Sequence, residues 1–317
     1  MIPAATQSRI RRRRAIGAAS LLAVALLASA GGYLALSYVV AERFTHAARY
    51  NIGRGPMVAA STYEDVAMRT PDGLTLRGWY FPVKSDRAAI LVHGKDGNRI
   101  GGEKRTHERI ADFLIANGYS VLLFDLRGHG DSDGDRFSLG YKERTDVATA
   151  IDFVTGRGVR EDRIALIGIS MGAGTTLQSL ILHPNVGAVV ADSSYADART
   201  IIEEKLESIA NVPGWFTPGV MLFSKVVFGL DGDQVRPIDI VRAHPERAFL
   251  FIHCDTDELI ALHHARDLRA ASANPASQLW VAAGCQHARA YNDHPSEWEA
   301  RVRPFLESQI PVGANSH

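Results

Sequence analysis

Gly168-Ile169-Ser170-Met171-Gly172 stands where an apolar run over 163–167 meets a helical stretch over 171–182. Two glycines flanking a serine at this spacing permit a cramped strand-to-helix turn, which lifts the serine Oγ clear of the sheet edge. Met171 opens the following helix, so its backbone N–H has no acceptor within that helix and can donate to an oxygen gaining negative charge. A G-x-S-x-G string alone arises by chance in many chains. Its weight here comes from the strand before it, the helix after it and the residues that follow, which together make Ser170 a candidate nucleophile.

Outward from that junction, short apolar runs alternate with helical stretches. The runs fall at 88–92, 119–124, 163–167, 186–191, 248–252 and 278–282, and the helical stretches at about 101–117, 139–156, 171–182, 260–272 and 294–309. Runs that are apolar throughout, rather than at alternate positions, mean burial on both faces, hence a mostly parallel sheet with helices on each side. Ahead of them, 63–69 and 74–81 read as a hairpin across Thr70-Pro71-Asp72-Gly73, where Asp-Gly marks the reversal. One connection is long for this pattern: residues 195–247 carry an amphipathic stretch at 198–210, then Pro213-Gly214-Trp215-Phe216-Thr217-Pro218 and an apolar run at 220–230. A long connection inside a compact domain is commonly functional, and this one is expected to form a small helical lid over the edge that carries the serine.

A serine becomes a nucleophile near neutral pH beside a base, and the base needs a carboxylate to orient it. Both are expected after the elbow, acid before histidine, at the ends of later strands. Phe249-Leu250-Phe251-Ile252-His253-Cys254-Asp255-Thr256-Asp257 places acids beyond one run, and Leu279-Trp280-Val281-Ala282-Ala283-Gly284-Cys285-Gln286-His287 places a histidine beyond the next. The assignment is Ser170 as nucleophile, His287 as general base and then acid, and Asp257 as the carboxylate that fixes the imidazole tautomer, with Asp255 and Glu258 as rival acids. The second oxyanion donor is expected from His93-Gly94-Lys95-Asp96-Gly97-Asn98-Arg99, with the backbone N–H of Lys95 partnering that of Met171. His93 reads as a residue that orders this loop by hydrogen bonding.

The 35 basic and 35 acidic side chains leave no net field to attract nucleic acid. Two cysteines exclude a disulfide scaffold and a Cys-rich zinc site. The first residues are a different material from the rest. Arg9 and Arg11 to Arg14 form a cationic cluster, and 15–41 holds no charged side chain. At 1.5 Å per residue such a helix is long enough for a hydrocarbon core about 30 Å thick. The expected organisation is therefore a basic cytoplasmic N-terminus at 1–14, a transmembrane anchor at 15–41, a linker at 42–61 broken by Gly53-Arg54-Gly55-Pro56, and a folded domain at 62–317 with its lid at about 195–247. Arginines ahead of a single span stay in the cytoplasm, which puts the domain on the outer side, periplasmic or extracellular. The competing reading is a cleaved signal peptide, since Ala28-Ser29-Ala30 offers a small-residue cleavage site, but the apolar run continues through Val40 beyond it.

With these residues on the page, the chain over about 62–310 resembles the α/β-hydrolase fold superfamily of the serine-nucleophile type. Besides the elbow, the resemblance rests on His93-Gly94, on Phe124-Asp125-Leu126-Arg127-Gly128-His129-Gly130-Asp131-Ser132 and on the ordered acid and histidine. It is similar to membrane-anchored, Bem46-like hydrolases, which combine an N-terminal anchor, a His-Gly loop and a stretch after the elbow helix like Asp192-Ser193-Ser194 here. The resemblance implies a mostly parallel eight-stranded sheet flanked by helices, and hydrolysis of an ester, thioester or amide with no metal and no organic cofactor. It also implies that Asp125, Arg127, His129 and Asp131 are structural. Where relatives carry His-Gly at the acid strand's end, this chain carries His253-Cys254, and Asp257 still falls at the matching place.

The expected activity is a carboxylesterase or lipase-like one, on a small-molecule acyl ester. A lipid-like acyl substrate is a further expectation, motivated by the anchor and by Trp215, Phe216, Met221, Leu222 and Phe223 in the lid. A serine peptidase or amidase uses the same triad, and a binding protein can retain the fold without catalysis. Cys254 and Cys285 precede the proposed acid and base by a few residues, on strands expected to be neighbours. They form either a disulfide, if the domain faces an oxidising compartment, or two buried thiols.

Overall fold

The computed structural model describes residues 4–59 and 62–312. Residues 1–3 of the expected basic N-terminus, 60–61 of the expected linker and 313–317 at the end of the expected domain lie outside the described residues. The chain begins with helix α1 (Ala4–Thr45), hairpin strands β1 (Glu64–Arg69) and β2 (Thr75–Phe81), then β3 (Ala88–Val92), α2 (Thr106–Ala116), β4 (Ser120–Phe124), α3 (Glu143–Gly156), β5 (Ile164–Ile169), α4 (Met171–Ser179) and β6 (Ala188–Asp192). The lid helices α5 (Ala198–Ala210), α6 (Thr217–Val226) and α7 (Pro237–Ala243) follow. The last elements are β7 (Leu250–Cys254), α8 (Leu262–Ala271), β8 (Gln278–Ala282), α9 (Ala290–Asp293) and α10 (Pro295–Gln309).

Strands β3 to β7 are buried along their whole length, as continuous apolar runs require. Alternate residues of β3 serve opposite layers. Ala89 and Leu91 pack with Ile110 and Leu114 of α2 and Val302 of α10, whereas Ile90 and Val92 pack with Val147 of α3 and Leu177 of α4. Edge strand β1 instead buries every second residue. The eight-stranded sheet runs β1-β2-β4-β3-β5-β6-β7-β8. It is mixed: β1–β2 and β2–β4 are antiparallel and the remaining pairs parallel. The β1–β2 pair follows from the tight turn between them, closed by the Gly73 N–H donating to Thr70 O at 2.9 Å, since only antiparallel neighbours can be joined so directly.

The N-terminal boundaries differ from the sequence reading. The basic stretch and the apolar run share one helix that ends only at Thr45, because nothing between 4 and 45 breaks it. The expected linker is a strap held on the domain: Arg49 donates to the carbonyls of Gly130 (3.0 Å) and Ser132 (2.7 Å), and Arg54 pairs with Glu108 at 2.8 Å. Glu108 also accepts the Met57 N–H at 2.7 Å. Helix breakers stop a helix without freeing the chain, and these arginines supply the attachment. The lid over 195–247 forms its expected helices. Asp197 caps α5 by accepting the Thr200 N–H at 3.0 Å, and Asn211 ends that helix in the left-handed region at φ 55°.

Candidate active site

Strand β5 and helix α4 meet at Ser170, held at φ 58°, ψ −121°, a conformation that costs a non-glycine residue energy and turns its side chain out of the sheet. The flanking glycines are steric necessities. A Cβ on Gly172 would stand 2.1 Å from the Val92 carbonyl oxygen, and one on Gly168 2.4 Å from that of Gly172.

The structure brings Ser170, His287 and Asp257 into one hydrogen-bonded row. The Ser170 hydroxyl donates to His287 Nε2 at 2.7 Å, and His287 Nδ1–H donates to Asp257 Oδ2 at 2.7 Å. Asp257 Oδ1 accepts the N–H groups of Leu259 (2.9 Å) and Ile260 (2.8 Å), so the carboxylate is fixed at both oxygens. Burial pushes the Asp257 carboxyl up, but the His287 hydrogen bond, the imidazole charge and the Ile260 N–H outweigh it and hold it below the ordinary carboxylate value. The rival acids point elsewhere: Asp255 Oδ1 accepts the Gly284 N–H at 2.7 Å, and Glu258 is exposed.

Lys95 and Met171 line the same cavity as Ser170 and His287. The loop that carries Lys95 lies against the serine, since a Cβ on Gly94 would be 3.0 Å from Ser170 Cβ. Met171, as the first residue of α4, offers an N–H with no intrahelical acceptor. His93 is buried and tied into its loop. Its Nε2 accepts the Leu126 N–H at 3.0 Å, which leaves the proton on Nδ1 to donate to Gly94 O at 2.7 Å. Burial and neighbouring His129 hold its pKa well below the usual histidine range. Arg99 pairs with Asp125 at 2.9 Å, and Arg127 with Asp146 at 2.6 Å and Asp72 at 2.7 Å, ties that brace the 125–132 loop.

Three further ties hold the His287 loop. The Thr256 hydroxyl donates to Cys285 O at 2.7 Å, and the Ala288 N–H donates to Ser193 Oγ at 3.2 Å. Cys254 and Cys285 form a disulfide across β7 and β8, resolving the two readings of the pair. It joins residues 31 apart in sequence, so reduction returns loop-closure entropy to the unfolded chain. Replacing both cysteines by alanine is expected to lower stability by about 3–4 kcal/mol, read as a fall in urea midpoint. An unchanged midpoint would show that the bridge constrains nothing.

Ser193 in turn donates to Asp192 Oδ1 at 2.9 Å. Burial pushes the Asp192 carboxyl up to about 6, only partly offset by that hydroxyl and by His287. A buried acid whose pKa is raised binds its proton more tightly folded than unfolded, so its stabilising contribution is complete below the ordinary carboxylate pKa and is lost as pH climbs towards 6. Asp192→Asn should flatten the stability profile between about pH 4 and 6. Equal slopes in variant and wild type, by denaturant titration across that window, would count against this.

Among the described residues, Glu204, His263 and His264 bring possible metal ligands within 4.8 Å of one another. The Ala196 N–H donates to His264 Nδ1 at 3.3 Å, which puts the ring proton on Nε2, facing Glu204 Oε2 at 3.2 Å. The trio is a hydrogen-bonded clasp between lid helix α5 and α8, and a metal would have to displace that proton.

A cavity of about 500 Å³ stands over Ser170 and His287, walled mainly by apolar side chains. Phe137 and Leu139 come from the body, Tyr195 from the start of the lid, and Ile201, Ile202 and Ile209 from α5. Sequence reasoning missed one wall: Leu36, Val39, Val40, Arg43 and Phe44 of α1. The continuation of the apolar run past the small-residue site is the signal, and in the sequence it speaks only for an uncleaved anchor.

An eight-stranded mixed sheet with a lid, a strained serine at the strand-to-helix turn and a histidine and acid on the following loops define an α/β hydrolase. The chain belongs to the peptidase S15 family, described as X-Pro dipeptidyl-peptidase, which it matches over residues 47–296. It is similar to YqkD of Bacillus subtilis, 26% identical over 74% of this chain and 76% of that one, and to YfhR of Escherichia coli K12, 26% identical over 78% and 81%. Among solved structures it is similar to the Pyrococcus furiosus esterase Pf2001, 26% identical with a TM-score of 0.70, over 84% of this chain and 98% of that one. The family and the esterase neighbour mark the chain as a hydrolase.

Proposed function

We propose that the protein is a membrane-anchored serine hydrolase that cleaves carboxylic esters through an acyl-enzyme. The observation that carries this reading is the Ser170–His287–Asp257 row opening into an apolar cavity. Ser170 Oγ attacks the ester carbonyl while His287 Nε2 takes its proton, and the tetrahedral oxyanion accepts the N–H groups of Met171 and Lys95. His287 returns the proton to the departing alcohol. Water then attacks the acyl-enzyme with His287 again as base, releasing the acid and Ser170. These steps call on no metal and no cofactor.

Helix α1 serves as a single-pass anchor, with Arg9 and Arg11–Arg14 on the cytoplasmic side and the domain outside. The Cys254–Cys285 bridge supports an oxidising compartment for the domain.

The family description favours a second reading, release of X-Pro dipeptides. That reaction has to hold a peptide's N-terminal ammonium. Among the described residues lining the cavity the carboxylate on offer is Asp96, which is ion-paired with Lys95. Full-length protein assayed beside Ser170→Ala on p-nitrophenyl esters and on Ala-Pro-p-nitroanilide separates the two. Serine-dependent turnover of esters with little of the anilide is expected, and the reverse preference would overturn the esterase reading.

A further inference from the structure

Helix α1 does two things along its length. It has 42 residues, so at 1.5 Å per residue it is about 63 Å long, twice a bilayer's hydrocarbon thickness. Leu21, Leu26 and Leu27 in its upper part are 74%, 62% and 74% exposed, whereas Val40 and Ala41 are buried at 4% and 0%. The lower part packs on the lid. Gly219 of α6 sits so close to Ser37 that an added Cβ would meet Ser37 Oγ at 2.3 Å, and the Gly219 N–H donates to the Tyr33 hydroxyl at 3.1 Å. Tyr33 stacks on Trp215 and Phe216 with ring centroids 5.6 and 4.8 Å away.

A span of about 20 residues counted from Arg14 ends near Leu34. The first residue of α1 that lines the catalytic cavity is Leu36, followed by Val39, Val40, Arg43 and Phe44, so the wall is apolar apart from one arginine near its lower end. The cavity therefore begins where the hydrocarbon ends. Around that level the lid leaves Trp215, Leu222 and Val226 exposed at 63%, 52% and 72%. An exposed aromatic flanked by aliphatic side chains beside a spanning helix fits the interfacial zone of a bilayer.

Resting on the serine-hydrolase reading above, we infer that the last turns of the anchor helix are a wall of the acyl site, and that the substrate is a long-chain acyl ester resident in the bilayer, whose chain passes from the lipid along α1 into the cavity. Leu36 and Val39 then set acyl length, because they are the half-exposed apolar members of that wall. Cleavage leaves the ester's acyl carbon on Ser170, and water converts it to a free acid beside the membrane it came from.

The test uses full-length protein in detergent micelles and p-nitrophenyl esters from acetate to dodecanoate. Leu36→Trp and Val39→Trp each narrow the cavity and should lower the dodecanoate-to-acetate ratio of kcat/KM by about tenfold or more. Leu26→Trp, on the same helix but facing lipid, should leave that ratio as in wild type. Labelling of Ser170 by a fluorophosphonate reports that each variant is folded. A wild-type ratio in both wall variants, with Ser170 labelled, overturns the inference and leaves the serine-hydrolase reading standing. Absent labelling and turnover in the wild type would overturn both. In phosphatidylcholine vesicles, a fluorogenic long-chain ester in the same bilayer as the protein should be cleaved at least about tenfold faster than one in separate vesicles; equal rates would exclude delivery through the bilayer.

Discussion

Ser170→Ala is expected to reduce kcat on an activated ester by 10⁴ to 10⁶, on the order seen when a nucleophile is removed from such a row. The geometry makes this a clean deletion. Ser170 owes its backbone conformation to the close approach of Gly168, Gly172 and β3, and its N–H is held by Asp192 O at 2.8 Å. Losing the hydroxyl therefore leaves His287, the neighbouring N–H donors and the cavity as they are. Substrate should still bind with little change in KM, and fluorophosphonate labelling should vanish. The measurement is burst-phase release of p-nitrophenol, and a burst surviving in the alanine variant would assign the nucleophile elsewhere.

Asp257→Asn should cost about 10⁴ in kcat while leaving the fold intact. The carboxylate accepts from His287 Nδ1–H and from two backbone N–H groups. An amide can keep the backbone bonds through its oxygen, and its NH₂ then faces Nδ1. That contact favours the tautomer with the proton on Nε2, where it confronts Ser170 Oγ and cannot receive the hydroxyl proton. Asp255→Asn, whose carboxylate ties down Gly284 N–H instead, should change kcat less than tenfold, by roughly the weight of a lost surface contact. Steady-state kinetics of the two variants side by side decide the assignment. Comparable losses would mean that the loop rather than the carboxylate matters.

The parallel part of the sheet was legible because its strands are apolar at every position, and the hairpin because Asp-Gly demands a reversal. The row of Ser170, Asp257 and His287 was legible because a strand end delivers the next few residues to one edge of a parallel sheet whatever the intervening helices do. What was not legible depended on contacts between segments distant in sequence. The strap over 46–59 reads as a linker, since glycine and proline announce only that a helix stops; Arg49 and Arg54 reveal their carbonyl and carboxylate partners only in three dimensions. The left-handed Ser193, whose hydroxyl bridges Asp192 and the Ala288 N–H, gives no periodic signal either. The α1 wall was hidden for a different reason. Apolar residues facing lipid and apolar residues facing a cavity look alike in a sequence.

Two regimes of substitution therefore meet on a single helix. On the proposed anchoring, any side chain that stays apolar serves above about residue 33, and the stretch is free to drift between relatives as long as its length holds. Below it, Tyr33, Ser37 and the turn bearing Leu36 to Val40 are fitted against Gly219 and its neighbours at ångström tolerance. On the proposed anchoring and acyl-wall role of α1, an anchor grafted from a membrane protein would restore the address of the domain and change what it can digest.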